Sequence, residues 1–171
     1  MKQVVAALLA VAILFGLLKL FVRWDLSQNA LPEGTAVAAF TLPDTAGKPV
    51  RLPVPGKAVL VNYWASWCGP CLEEMSILRE FAQRNGANGT QLVTIALEDE
   101  RSSRPWLQAN PQPFPVLVEA PGETDSSVAL GNARGILPYF VLVGADGRVR
   151  ASRTGAFHSL AELDAWIAEA R

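Results

Sequence analysis

Residues 59–71 read VLVNYWASWCGPC, and this stretch decides the fold of the 171-residue chain. It starts within an apolar run over residues 58–64, which is typical of a central strand covered on both faces. Two cysteines separated by two residues follow directly. Over residues 69–84 the apolar side chains then recur at helical spacing. The sequence therefore predicts a buried strand, a cysteine pair and a helix in immediate succession.

The chain has two cysteines, Cys68 and Cys71. Cys68 precedes the predicted helix, where unpaired N–H groups and the helix dipole favour a thiolate. The thiolate is the attacking species in thiol–disulfide exchange. Cys71 lies about one turn further on, close enough to attack a mixed disulfide on Cys68. Pro70 suits the first turn, which needs no N–H at that position. The pair is thus predicted to be a redox centre.

Two other uses of the cysteines are weaker. A structural zinc site needs about four ligands, and the chain offers two cysteines and one histidine, so carboxylates would have to complete it. An inert disulfide across two residues closes almost no loop and adds little to stability. We therefore expect neither a bound metal nor a purely structural bridge.

Outward from this stretch, apolar patterns and turn residues predict alternating strands and helices. We expect strands over 40–42, 50–52, 91–97, 114–118, 139–143 and 149–153, and helices from Ser102 or Ser103 to about 110, over 126–131 and over 159–170. Asp146-Gly147 is typical of a hairpin between the last two strands. Ser159, with Glu162 three residues on, can cap the last helix. This order predicts an α/β fold with a mixed sheet.

The N-terminal segment is strongly apolar, and residues 4–18 carry no charge. A helix over 4–22 spans roughly 28 Å, close to the hydrocarbon thickness of a bilayer. Lys19 can snorkel to the interface there. A cleaved signal peptide is the alternative, but no small-x-small site follows the apolar core at short range. We expect a transmembrane anchor over 1–23, a linker over 24–36 and a globular domain over 37–171.

The charge distribution argues against nucleic-acid partners and leaves the orientation of the predicted membrane anchor open. Residues 24–171 carry 12 Lys or Arg and 16 Asp or Glu without a basic stripe, so nothing supports nucleic-acid binding. Positive residues flank the anchor on both sides (Lys2, then Lys19 and Arg23), so the positive-inside rule gives no answer. We place the domain outside the cytoplasm because an anchored Cys-x-x-Cys domain suits an oxidising compartment.

Residues 59–71 resemble the active-site strand and turn of the thioredoxin superfamily, and more narrowly the membrane-anchored TlpA/ResA-type disulfide reductases of bacteria. Asn62 stands where thioredoxin has a buried Asp, and Glu74 matches an acid of the anchored branch. The resemblance implies a thioredoxin-like fold, with a central mixed β-sheet flanked by helices. It also implies anchoring in the bacterial inner membrane with the domain in the periplasm, a disulfide-bearing protein substrate and a membrane thiol electron donor. We expect a monomer without a cofactor.

The resemblance also implies roles for individual residues. Glu74 would tune the cysteines and assist proton transfer, whereas its alternative is a solvated helix carboxylate. Leu137 would offer backbone hydrogen bonds to a substrate chain, and Pro138 would be a cis-proline packed against the cysteine turn. Trp67, with Gly69 and Pro70, would form the docking surface beside Cys68. Two features depart from the family pattern: Ser76 replaces a proline, and residues 134–138 hold one residue more before the proline.

The predicted activity is reduction of protein disulfides by the Cys68–Cys71 dithiol, since the Gly-Pro pair between the cysteines is shared with reducing thioredoxins. A thiol peroxidase of peroxiredoxin type is one alternative, although Ala65 stands where peroxidases usually have Thr. A copper-binding thioredoxin-like module is the other. Such modules usually add a downstream histidine on the fold, and His158 lies late in the chain.

Overall fold

The computed structural model describes residues 11–19, 30–85 and 89–170. The chain divides into two units, Met1–Ala30 and Leu31–Arg171. Residues 11–19 are helical (α1). Among the described residues, no helix has the length and apolar character needed to cross a bilayer. The remainder of the predicted anchor, residues 1–10 and 20–23, lies outside the described residues.

The second unit contains seven strands and four helices within its described residues. In chain order they are β1 (Phe40–Pro43), β2 (Pro49–Leu52), β3 (Val59–Trp64), α2 (Gly69–Asn85), β4 (Gln91–Leu97), α3 (Glu100–Ala109), β5 (Val116–Glu119), α4 (Ser126–Ala129), β6 (Tyr139–Val143), β7 (Val149–Thr154) and α5 (Leu160–Glu169). β1 and β2 form a small antiparallel sheet. The main sheet has the order β5-β4-β3-β6-β7, with β3, β4 and β5 parallel and β6 and β7 antiparallel. The predicted mixed α/β sheet is confirmed.

β3 is the central strand, and all six of its residues are buried. Leu60 and Trp64 belong to the apolar cluster that α2 and α5 cover, whereas Val61 and Tyr63 pack into the cluster on the other face. The continuous apolar run in the sequence reflects this double coverage, because a strand buried on both faces needs no polar alternation. The cysteine turn therefore follows directly after the central, fully buried strand of the main sheet.

α2 runs from Gly69 to Asn85 as one helix, and Ser76 lies within it at an exposed position. The buried positions of the helix are Cys71, Glu74, Met75, Leu78 and Phe81. These residues recur every three or four positions, so they form one stripe that faces the sheet. A carboxylate, Glu74, is part of that stripe next to the second cysteine.

Two predicted starts were wrong by two residues or more, and α4 ends at Ala129 instead of at residue 131. α3 begins at Glu100 instead of at Ser102 or Ser103, because the Asp99 side chain accepts a hydrogen bond from the Arg101 amide at 2.7 Å and caps the helix earlier. β5 begins at Val116 instead of at residue 114, where the sequence lies between prolines. The predicted cap of α5 is confirmed, since the Ser159 hydroxyl accepts from the Glu162 amide at 3.2 Å.

Candidate active site

A disulfide joins Cys68 and Cys71 at the start of α2, and their Cα atoms lie 5.3 Å apart. The Cys71 amide donates a hydrogen bond to the Cys68 sulfur at 3.3 Å. A backbone N–H of the first helical turn therefore points at Cys68, where it would stabilise a negative charge on the sulfur after reduction. The predicted environment for a reactive thiolate is present at Cys68.

The two sulfurs differ in their access to solvent. Cys71 is fully buried, whereas Cys68 is 6% exposed. Trp67 beside it is 71% exposed, and Gly69 and Pro70 are exposed as well. A large partner can therefore approach the cysteine pair from the Cys68 side and would meet an indole and a short stretch of backbone there.

The Leu137–Pro138 peptide bond is cis, as the resemblance implies. Leu137 is half-buried, and Pro138 accepts a hydrogen bond from the Gly155 amide at 2.9 Å. Leu137 and Trp67 line the same open cavity of about 550 Å³, and Glu98 lines it as well. The structure thus brings two of the predicted substrate-contacting residues to one groove beside Cys68.

Glu74 lies behind the cysteine pair, away from that groove. Its side chain is 1% exposed. Oε1 accepts from the Asn62 side-chain amide at 3.3 Å, and Oε2 accepts from the Phe157 backbone amide at 3.1 Å. Burial raises the pKa of this carboxyl to about 8, against the opposing effects of these two hydrogen bonds and of the Arg153 charge. The alternative of a solvated helix carboxylate is therefore wrong, because the acid faces the core.

Asn62 is itself fully buried on β3. Its amide nitrogen binds Glu74, while its side-chain oxygen has no hydrogen-bond partner. A side-chain amide can hydrogen-bond to either protonation state of a neighbouring carboxyl. Its nitrogen donates to the carboxylate, and its oxygen can accept from the protonated acid after the amide group rotates by half a turn. The local chemistry therefore accommodates both protonation states of Glu74.

Sequence reasoning missed a second buried carboxylate at the site. Glu98 follows β4 and is 4% exposed. It accepts from the backbone amide and the hydroxyl of Ser66, two residues before Cys68. The sequence signal was a Glu directly after a buried strand, at the carboxyl edge of a parallel sheet where sites form.

Similarity to known proteins points to the same chemistry. Sporulation thiol-disulfide oxidoreductase A of Bacillus subtilis is 23% identical over 146 residues, covering 83% of this chain and 82% of the relative. Thiol-disulfide oxidoreductase ResA of Bacillus subtilis is 27% identical over 130 residues, covering 75% and 70%. The crystal structure of StoA from Bacillus subtilis has a TM-score of 0.62 at 21% identity, covering 77% of this chain and 97% of that one. With its fold and its Cys68–Cys71 disulfide, the chain is a thioredoxin-like thiol–disulfide oxidoreductase.

The family can be stated more narrowly. Residues 34–152 match the model of the AhpC/TSA family, and the match spans well over half of the chain. The protein therefore belongs to the AhpC/TSA family. The matched region contains the cysteine pair and Glu74, and it extends through Pro138 into β7. The resemblance to the TlpA/ResA-type oxidoreductases is confirmed.

Proposed function

We propose that the protein reduces disulfides in cell-envelope proteins, with Cys68 as the nucleophile and Cys71 as the resolving cysteine. The observation that carries this proposal is the asymmetry of the pair. Cys68 reaches the surface and receives an amide hydrogen bond, whereas Cys71 is fully buried behind it. An attacking thiol must meet a protein substrate, and a resolving thiol needs to reach only its neighbour.

The reaction starts from the reduced dithiol. The Cys68 thiolate attacks one sulfur of the substrate disulfide, a Cys68–substrate S–S bond forms, and the other substrate sulfur leaves as a thiolate. Cys71 loses its proton and attacks the Cys68 sulfur, which releases the second substrate thiolate and forms the Cys68–Cys71 disulfide. Two electrons pass to the substrate, and its two thiolates take up two protons.

Glu74 is the proposed proton acceptor for Cys71. Both residues lie in the buried stripe of α2, one turn apart. A carboxyl with a pKa of about 8 exchanges protons readily near neutral pH and matches the range in which a thiol ionises. In the reverse direction, when an electron donor reopens the disulfide, the protonated acid would return the proton to the Cys71 sulfur.

The proposed substrate surface surrounds Cys68. Trp67, Gly69 and Pro70 form one side, and Leu137 with Pro138 forms the other, where the Leu137 backbone would hydrogen-bond to an extended substrate segment. The groove that Trp67 and Leu137 share supports this arrangement. An exposed indole beside a reactive group is a common anchor for a protein partner.

The cellular part of the proposal is a single anchor over residues 1–23 in the bacterial inner membrane. It would hold a monomeric domain in the periplasm, where a membrane thiol carrier supplies the electrons. The apolar sequence supports this anchor. The large apolar side chains of α1 support it as well, because they are 55% to 68% exposed and a bilayer would remove them from water. Membrane fractionation of the expressed chain tests the proposal: a version lacking residues 1–23 should leave the membrane fraction.

Trapping tests the chemistry directly. In the full-length Cys71→Ala chain, the mixed disulfide on Cys68 cannot be resolved, so a covalent adduct with a disulfide substrate should accumulate and disappear with reductant. The matched control, Cys68→Ala, keeps only the buried thiol and should trap little. Equal trapping by both variants, or by neither, would contradict the assigned roles.

The direction of electron flow needs a separate measurement. A reductase is expected to have a potential near that of thioredoxin, about −270 mV, whereas a strong oxidant of the DsbA type lies near −120 mV. Equilibration of the full-length chain with glutathione redox buffers gives this value. A potential near the oxidant end would reverse the proposed direction but leave the exchange chemistry intact.

A thiol peroxidase is the second candidate, because the AhpC/TSA family match raises it. The peroxidatic cysteine of peroxiredoxins usually follows a Thr three residues earlier. Here that position is Ala65, which is fully buried and has no hydroxyl to offer. We therefore expect reduction of insulin disulfides to be much faster than consumption of hydrogen peroxide by the same reduced protein.

A further inference from the structure

Three residues form a row across the main sheet beneath Glu74. Asn62 on β3 pairs with Phe140 on β6, and Phe140 pairs with Arg153 on β7. Directly paired residues of neighbouring strands point to the same face of a sheet. Arg153 therefore shares the face on which Asn62 meets Glu74, two strands away or about 10 Å between the backbones.

Arg153 contacts Phe157, the residue whose backbone amide binds Glu74. Its guanidinium carbon lies 4.2 Å from the centre of the Phe157 ring, in the geometry of a cation–π contact. The Phe157 ring also packs edge-to-face on Phe140, with ring centres 4.8 Å apart. The amide of this same Phe157 donates to the Glu74 carboxylate. The position of that amide thus depends on a ring held between Phe140 and Arg153.

The same guanidinium of Arg153 is hydrogen-bonded to α5 and to the loop that precedes it. Its guanidinium donates to Glu162 at 2.5 Å and to the carbonyl of Ala156 at 3.3 Å. The second oxygen of Glu162 accepts from the His158 amide at 2.9 Å. Arg153 and Glu162 therefore fasten the loop over residues 155–158 on both sides of Phe157. The resemblance to known reductases assigned no role to either residue.

We propose that Arg153 is a positioning residue of the redox reaction: it holds the Phe157 amide on the Glu74 carboxylate, brings a positive charge to that buried acid, and has this charge moderated by Glu162. The inference rests on the proposed function, in which Glu74 exchanges a proton with Cys71. In that function Glu74 exchanges the proton with the reacting thiol, and Arg153 acts only through Glu74.

The charges around Glu74 fix the sign of the effect. Among the described residues packed near the acid, β7 contributes the cation Arg153 and α5 contributes its partner Glu162, while β3 contributes the neutral Asn62. Cys71 on α2 titrates only when reduced. The hydrogen bonds from the His158 amide and from Arg153 hold the pKa of Glu162 below its usual range, so Glu162 stays ionised near neutral pH. The Arg153 charge lowers the pKa of Glu74. Because Glu162 pairs with the same guanidinium, its negative charge should oppose that effect.

The oxidised full-length protein allows this to be tested without interference from thiols, because neither cysteine titrates in the disulfide. A carbon-13 NMR titration of Glu-labelled protein follows the Glu74 carboxyl, which is assigned by its loss in Glu74→Gln. In Arg153→Met, which keeps an apolar side chain over Phe157, the midpoint should rise by about half a pH unit or more. In Arg153→Lys, which keeps the charge, it should rise less.

The matched variant is Glu162→Gln, which removes the moderating negative charge. Its Glu74 midpoint should fall, opposite in sign to the shift in Arg153→Met. General loosening of the loop would move both midpoints in the same direction. Unchanged midpoints, or shifts of the same sign, would overturn the inference. If Arg153→Met does not fold, an unchanged or raised midpoint in Glu162→Gln would overturn the inference, and a lowered midpoint would support it.

The rate of disulfide exchange separates this inference from the function on which it rests. The pH profile of insulin reduction should move with the NMR midpoint in Arg153→Met. If Glu74→Gln reduces insulin as fast as the unaltered protein at all pH values, the proton role of Glu74 fails while the electrostatic link to Arg153 stands. If Glu74→Gln is slow but Arg153→Met leaves the midpoint in place, only the inference about Arg153 fails.

Discussion

Ser66 donates both of its polar hydrogens to the Glu98 carboxylate. Its backbone amide meets Oε1 at 2.7 Å, and its hydroxyl meets Oε2 at 2.9 Å. Glu98 follows the last residue of β4, and Ser66 lies two residues before Cys68. One buried carboxylate thus ties the cysteine turn to the neighbouring strand of the sheet.

The Glu98→Ala change should destabilise the protein and slow exchange. It leaves the Ser66 amide and hydroxyl without their charged acceptor, so we expect the free energy of unfolding to fall by about 2 kcal/mol in urea titrations. Ser66→Ala removes only the hydroxyl bond and should cost about 1 kcal/mol. A loss in Glu98→Ala no larger than that in Ser66→Ala would mean that the amide bond contributes little.

The raised pKa of Glu74 predicts that the free energy of unfolding falls as the pH rises. Its pKa in the folded protein, about 8, lies above its ordinary value of 4.5, so folding takes up a proton between these values. The stabilising contribution is complete below about pH 4.5 and is lost as the pH passes 8. Relative to Glu74→Gln, which does not titrate, the unaltered protein should lose roughly 3–5 kcal/mol between pH 5 and pH 9. Urea unfolding of both oxidised proteins at a series of pH values measures this difference. A constant difference would show that the acid is not buried in its neutral form.

Trp67 should matter for the partner more than for the fold. Its side chain is largely exposed, so Trp67→Ala should change the free energy of unfolding by less than about 0.5 kcal/mol. The rate with a protein disulfide such as that of insulin should fall by roughly tenfold, as for a lost aromatic anchor. The rate with a small disulfide should fall much less. Equal losses with both substrates would place Trp67 in the chemistry instead of in docking.

Much of the fold could be predicted because its strongest signals are local. The run through Tyr63 and Trp64 identified the central strand, and the helical spacing after Cys68 identified α2. The predicted start of α3 was wrong because Asp99 and two serines can each cap the helix. Which of the three forms the cap depends on packing. The cis bond at Leu52–Pro53 has no signal in a single sequence.

The candidate site was only partly predictable. The cysteines and their helix follow from adjacent residues, whereas the partners of Glu74 come from distant parts of the chain. Phe157 lies 83 residues away from it, and nothing in the local pattern connects the two. Glu98 and Arg153 were missed for the same reason, because their contacts arise from sheet order and strand register, which a sequence pattern does not specify.

Ser76 stands where the TlpA/ResA-type oxidoreductases usually carry a proline. α2 continues through Ser76, so the Ser76 amide lies inside the helix, where it can donate to a carbonyl one turn back. Ser76→Pro removes this donor and crowds the preceding turn, which should lower the free energy of unfolding by about 3 kcal/mol. Because Cys71 and Glu74 both lie on the N-terminal side of the change, insulin reduction should slow as well. Ser76→Ala, at the same exposed position, should change the free energy of unfolding by less than about 0.5 kcal/mol. If Ser76→Pro is as stable as Ser76→Ala in urea titrations, the helix accommodates a bend at this position as its proline-bearing relatives would.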